Sequence, residues 1–259
     1  MAIRRIALAS ASAALLAVAL TVDAGAQVTV PFDHYLCYKA TRAKLVPPSV
    51  TLIDQFDQVE GTRENVKPKR AIQLCAPLFE KNGVKVLFDP VIHLKRYPIT
   101  SAAKAHTVEV ANQFEQVVVN TIAPVELMVP TTKGITAPPP PPKGEEFSFE
   151  HYKCYTLAKA RFAKKEVTAV DQFGRHVLVV TSRTRLCNPV TKIVSTRTFP
   201  IRQPERHLVC YAVKPQAEKL PTVFTNNQFG QEPLVLGPAK EICLPSFKRL
   251  IKAHGERKH

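Results

Sequence analysis

The chain has 259 residues and a formal charge of +15, with 22 prolines but 9 glycines, six cysteines and no tryptophan. Abundant proline with scarce glycine disfavours long helices and glycine-rich cofactor loops. No two glycines lie two apart, which excludes the dinucleotide-binding and P-loop patterns, and no Ser has Gly at both −2 and +2.

The first 26 residues read as an export signal: Arg4 and Arg5, an apolar run from Ile6 to Val22, then Ala24-Gly25-Ala26 as an A-x-A-type cleavage site. Cleavage there removes Arg4, Arg5 and Asp23, leaving 34 Lys+Arg and 20 Asp+Glu, a charge of +14. No later stretch is long and apolar enough to cross a membrane. All six cysteines stay in the mature chain, and an even count in an exported chain reads as disulfides. Secretion, to the periplasm or outside the cell, is therefore expected.

Four ordered repeats follow, each built from three short motifs. The histidine motif is H-[YL]-x-C-Y, at His34–Tyr38, His151–Tyr155 and His207–Tyr211; His93–Tyr97 has Arg96 in place of Cys. The Asx motif is [DN]-Q-F: Asp54-Gln55-Phe56, Asn112-Gln113-Phe114, Asp171-Gln172-Phe173 and Asn227-Gln228-Phe229. The Cys-Pro motif is a hydrophobic residue, then Cys-x-Pro, at Leu74–Pro77, Leu186–Pro189 and Ile242–Pro245, with Leu127-Met128-Val129-Pro130 in the second repeat. A basic residue follows soon after: Lys81, Lys192, Lys248. From the motif His to the Gln of the Asx motif is 21, 20, 21 and 21 residues. Such near-constant spacing marks a repeat architecture.

The second repeat lacks both cysteines at once. A scheme that pairs cysteines within each repeat leaves no orphan: Cys37–Cys75, Cys154–Cys187 and Cys210–Cys243. Pairing between repeats would set a cysteine against Arg96 or Met128. The closed loops span 38, 33 and 33 positions, for about 3.5–4 kcal/mol each on chain-entropy grounds.

Repeats one and three share F-[DE]-H-Y and an Asp in the Asx motif; repeats two and four share H-L and an Asn. A doubled half-unit, doubled again, accounts for this. Five prolines at 138–142 favour extended polyproline II. The expected layout is thus a β domain over 27–131, with repeats at 33–81 and 92–133, a proline-rich linker over 132–148, a second β domain over 149–248, with repeats at 150–192 and 206–248, and a basic tail over 249–259.

Within each repeat, β-formers surround H-x-x-C-Y, a V-x-[LV] run precedes the Asx motif, and runs such as His176–Thr181 follow it. About four strands per repeat predict an all-β chain of two tandem disulfide-stapled β-sandwiches; a four-bladed propeller is the second architecture. The proline after each second Cys reads as a strand end, and Pro245–His254 as a short helix.

In the H-x-x-C-Y … D-Q-F … L-C-x-P pattern, over nearly all of 33–248, the chain resembles a domain-of-unknown-function family of secreted bacterial proteins. The resemblance implies export and a modular β-fold. It brings no activity, cofactor or catalytic residues.

A metal reading of His34, His151 and His207 with their cysteines would supply N and S ligands. His93 persists where both cysteines are gone, and export favours disulfides, so the four histidines read as structural. Asp and Asn alternate at one position, which an Asx turn explains and paired-acid catalysis does not. Gln55, Gln113, Gln172 and Gln228 read as amides bonded inside that turn; Phe56, Phe114, Phe173 and Phe229 read as core. No catalytic residue, metal or cofactor is expected. The functional expectation is a non-enzymatic secreted or cell-envelope interaction module. A second reading is a binder of anionic polysaccharide or another polyanion, using basic clusters such as Lys67–Arg70. A third, a secreted enzyme, would need a cleft unique to one domain.

Overall fold

The computed structural model describes residues 32–143, 149–214 and 220–251. The expected signal segment, some of the linker and most of the tail lie outside these residues. Repeat one holds β1 (Tyr35–Thr41), β2 (Val50–Asp54), α1 (Gln55–Glu60), β3 (Glu64–Val66), β4 (Gln73–Pro77), β5 (Glu80–Lys81) and β6 (Val84–Lys85). Repeat two holds β7 (His93–Pro98), β8 (Thr107–Ala111) and β9 (Gln116–Gly134). Repeat three holds β10 (Tyr152–Leu157), β11 (Lys165–Asp171), β12 (Gly174–Val194) and β13 (Arg197–Phe199). Repeat four holds β14 (His207–Val213), β15 (Thr222–Asn227) and β16 (Gly230–Leu250).

The all-β expectation holds, but the chain does not divide into two sandwiches. The histidine motif and the Cys-Pro motif of each repeat lie on two strands, and the eight strands close on themselves. β1 pairs with β4, β4 with β7, β7 with β9, β9 with β10, β10 with β12, β12 with β14, β14 with β16, and β16 returns to β1, every pair antiparallel. Two of these pairings, β9–β10 and β16–β1, join the N-terminal half to the C-terminal half. Nor is it a propeller, because neighbouring repeats hydrogen-bond into one continuous ring. The proline run does not act as a free spacer either: the Thr132 hydroxyl donates to Pro140 O at 2.5 Å and the Asn226 amide to Pro139 O at 2.9 Å.

Alternation explains the strand composition. Along β1, Tyr35 and Cys37 face into the ring while Leu36 and Tyr38 face out, and all four are buried. The inside is filled, and the outside is covered by the hairpins that carry the Asx motifs. A strand buried on both faces has little place for polar side chains, hence runs such as YLCY. An eight-stranded barrel is just wide enough for side chains to fill.

The register repeats four times. Cys37 faces Cys75, Arg96 faces Met128, Cys154 faces Cys187 and Cys210 faces Cys243. Three of these cross-strand pairs are disulfides, the within-repeat scheme. One layer further, Tyr35, Leu94, Tyr152 and Leu208 face the prolines of the Cys-Pro motifs. Three of those prolines lie inside strands rather than ending them. Each sits two residues beyond the last residue paired to the next ring strand, so its missing N–H removes no ladder bond. The helix expected over 245–254 is instead the end of β16 as far as Leu250.

The outer hairpins cross the ring. β2 of repeat one pairs with β12 of repeat three, and β11 of repeat three with β5 of repeat one. β8 of repeat two pairs with β16 of repeat four, and β15 of repeat four with β9 of repeat two. One and three are thus reciprocally joined, as are two and four, matching the alternation in sequence. Because every half needs strands from the other, the oxidised chain should unfold by denaturant in one cooperative transition. Two resolved transitions, or a cooperatively folded fragment of residues 149–259, would contradict the interlocked ring.

Candidate functional site

The recurring polar residues converge on four nodes. In each, the Asp or Asn of the Asx motif accepts the backbone N–H of the Phe two residues on, at 2.8–3.1 Å, the expected Asx turn. The same side chain meets the motif tyrosine from two repeats away. Tyr38 donates to Asp171 at 2.6 Å and Tyr155 to Asp54 at 2.9 Å. In the other pair the polarity reverses: the Asn227 and Asn112 amides donate to Tyr97 and Tyr211, both at 2.9 Å. All four tyrosines are fully buried. Each stands edge-on to the Asx-motif Phe of its node, with centroids 5.1–5.3 Å apart.

A lysine closes each node. Lys81 lies over Phe114, Lys133 over Phe173, Lys192 over Phe229 and Lys248 over Phe56, at 5.3, 5.4, 4.9 and 4.4 Å. Lys133 fills the basic position that the sequence pattern left open in repeat two. It stands three residues after Pro130, as Lys192 and Lys248 do after their prolines. Burial pushes Lys192 down to about 6 and Lys248 to about 7.

The histidines are buried beside these lysines. Burial, with Lys81 adding to it, pushes His34 down to about 3; burial, with Lys133, pushes His93 to about 4. His151 and His207 are held well below their ordinary value by burial and by Lys192 and Lys248. His93 Nδ1 lies 3.0 Å from Val91 O, as a strand-start histidine would. The glutamines do not stay inside their own turns. Gln172 reaches His93 Nε2 at 2.7 Å and Gln228 reaches His151 Nε2 at 2.9 Å, each joining a repeat to the one before. Gln113 is half-buried, and Gln55 is exposed as the first residue of α1. Phe56 is fully buried, while Phe114, Phe173 and Phe229 pack on the core partly buried.

Arg96, in the second repeat's cysteine place, is fully buried. Its guanidinium reaches the residues two before the Cys or Met of three Cys-Pro motifs: Gln73, Glu126 and Glu241. The fourth such residue, Arg185, bonds Glu126 at 3.3 Å. Two arginines and two carboxylates therefore balance inside one end of the ring, an ionic plug. Burial alone would raise Glu241, but Arg96 and Arg185 hold it below its ordinary value.

One feature breaks the fourfold pattern. From the Asp or Asn of the Asx motif to the Cys or Met of the Cys-Pro motif is 21 residues in repeat one and 16 in the other three. The longer stretch of repeat one holds α1, β3 and the run Lys67-Pro68-Lys69-Arg70. Asp54 caps α1 in a capping box with Asp57, and Gly61 at φ 66° ends it. Asp57 is bonded by Lys104 and Lys153, which hold it down at about 2 against the effect of burial. Beside this lies an open groove of about 500 Å³, lined by Val46, Asn65–Arg70 and Thr100. Lys67, Lys69 and Arg70 are exposed on its wall, and among the described residues none of the three is ion-paired.

A family model described as a repeat of unknown function, DUF7450, matches residues 93–244. The chain belongs to this family. The DUF7450 match begins on His93 and ends on Leu244, and so spans repeats two to four. It leaves out repeat one, the repeat with the longer spacing. No curated protein and no solved structure matches the chain.

Two measurements test these assignments. Arg96→Met should cost about 3–5 kcal/mol in unfolding free energy, because it leaves two buried carboxylates with only Arg185 between them. Arg96→Cys with Met128→Cys should form a fourth disulfide, read as two further hydrogens lost in intact mass, yet still lose stability unless Glu126 and Glu241 become Gln. A neutral outcome for Arg96→Met would refute the plug. Acid should also weaken the fold. The histidines bind protons near 6.5 when unfolded and far lower when folded, so their contribution to stability is full above about pH 6.5 and is lost as pH drops towards 4, by about 3 kcal/mol for His93 alone. Asp33, raised to about 6 by burial, opposes this, as do Asp54 and Glu150, raised by burial too; Asp57 and Glu241, held low by their cations, act with the histidines. An unfolding midpoint equal at pH 7 and pH 4.5 would count against buried neutral histidines.

Proposed function

We propose that this chain is a non-enzymatic extracytoplasmic interaction module. In this reading a rigid ring displays one specialised repeat. The observation that carries it is the contrast between repeat-wide and unique features. The recurring Tyr, Asp/Asn, Phe and Lys engage one another, and two of the glutamines engage histidines, so the repeats are occupied with holding the ring together. The longer first repeat adds the exposed basic groove. Insertions in one unit of a repeat protein map to loops, often on the binding face.

Two observations support a location outside the cytoplasm. Three disulfides suit an oxidising compartment. The N-terminal 26 residues read as an export signal.

The test is co-sedimentation of the purified, oxidised chain with envelopes isolated from the producing cells, with envelope polymers sized before and after. The expected result is salt-sensitive sedimentation with polymer sizes unchanged. A chain that stays in the supernatant at every ionic strength would overturn the interaction reading. Shortened polymers would overturn the non-enzymatic one.

A further inference from the structure

We infer that the groove of the first repeat binds a strand of anionic polysaccharide, one carrying carboxylate or sulfate groups on its sugar rings. The inference rests on reading that repeat as the interaction face.

The groove is asymmetric in charge. Its lining has three exposed cations, Lys67, Lys69 and Arg70, and no acid. Lys67 and Lys69 flank the buried Pro68. Exposure alternates from Asn65 to Lys69, with Val66 and Pro68 buried, so Lys67 and Lys69 share the solvent face just beyond β3 and present two ammonium groups to a polymer with regularly placed anions. The backbone beneath is fixed: Lys69 N–H donates to Pro98 O at 2.8 Å and Ile72 N–H to Arg96 O at 3.0 Å. The cations therefore stand on a segment tied to the ring.

The remaining lining suits a sugar. Val46, exposed at 53 %, gives an apolar surface for the C–H face of a pyranose. Asn65 and Thr100 add an amide and a hydroxyl for sugar hydroxyls. Asn65 accepts from Thr51 through its oxygen at 2.6 Å, which leaves its NH2 to donate outward.

Two other polyanions fit less well. Single-stranded nucleic acid is held by aromatic platforms under its bases, and no aromatic residue lines this groove. An acidic peptide would add as a strand beside β3. The ladder would stop at once, because Pro68 has no N–H and that of Lys69 is already given to Pro98.

The test uses the full mature chain, with binding to linear polygalacturonate followed at rising salt. Dextran, polyglutamate and a single-stranded oligonucleotide serve as comparison ligands. The groove variant is Lys67→Gln, Lys69→Gln and Arg70→Gln. A control variant of equal charge change is Lys85→Gln, Lys159→Gln and Lys164→Gln, all exposed and outside the groove. Unfolding midpoints identify any variant that fails to fold; in that case Arg70→Gln alone is measured against Lys85→Gln alone. The inference expects polygalacturonate binding that weakens at least tenfold in the groove variant and less than twofold in the control, with dextran unbound. Equal loss in both variants would overturn it, since binding would then follow overall charge. Tighter binding of polyglutamate or the oligonucleotide would overturn the choice of partner. If the groove variant still sediments with envelopes as the parent does, the inference fails while the interaction reading stands.

Discussion

Closure of the eight-stranded ring is the constraint on which the rest depends. Closing a sheet removes its edges, but it also creates an interior that must be filled by side chains of limited size. Here the filling is a layer of cross-strand pairs. Cystine is compact, apolar and covalent, so three such pairs fill the middle of the ring and fix its register. A slip of one residue in any of the six ring strands that carry a cysteine would turn that cysteine outward while its partner's stayed facing in. The disulfides therefore hold register as well as limiting the unfolded state.

The fourth pair solves the same packing problem by other means. Arg96 is too long for the space of a cysteine, but the ring end beside it offers Glu126, Glu241 and Gln73 as partners. Met128, unbranched and adaptable, fills the remaining volume. This makes the joint substitution intelligible. Neither residue replaces a cysteine alone; together they exchange a covalent rung for an ionic plug. Such a plug is weak as a stabiliser against a well-packed apolar alternative, yet costly to break from one side. It also sets that end of the ring apart from the layer beyond the cysteines, where Tyr35, Tyr152, Leu94 and Leu208 face the motif prolines.

Much of this is legible in the sequence. The all-β class follows from composition and patterning, the cysteine pairs from their joint loss, and the Asx turns from the Asp/Asn alternation. What escapes is how the repeats meet. The alternation of Asp with Asn implies two pairs of repeats, and the simplest expectation from that is two domains side by side. In the structure it records reciprocal exchange across a ring: Asp accepts from Tyr38 or Tyr155, and Asn donates to Tyr97 or Tyr211. Sequence similarity reports which repeats are alike, not which strands pair, and adjacent and opposite partners leave the same trace. The proline run points the same wrong way, because its docking on Thr132 and Asn226 is a tertiary contact. The groove leaves a plainer signal, the spacing of 21 against 16 from the Asx motif to the Cys-Pro motif.

The first and last ring strands are neighbours, and this bears on how the chain reaches its native state. A polypeptide emerging N-terminus first can form each cystine as soon as its own repeat is out, since every rung closes over fewer than forty positions. The seam between β1 and β16 waits for the last ring strand. Local cross-links thus accumulate on a molecule whose overall enclosure is withheld until that segment arrives. Premature closure is prevented by connectivity itself, because β1 has no seam partner until β16 is present.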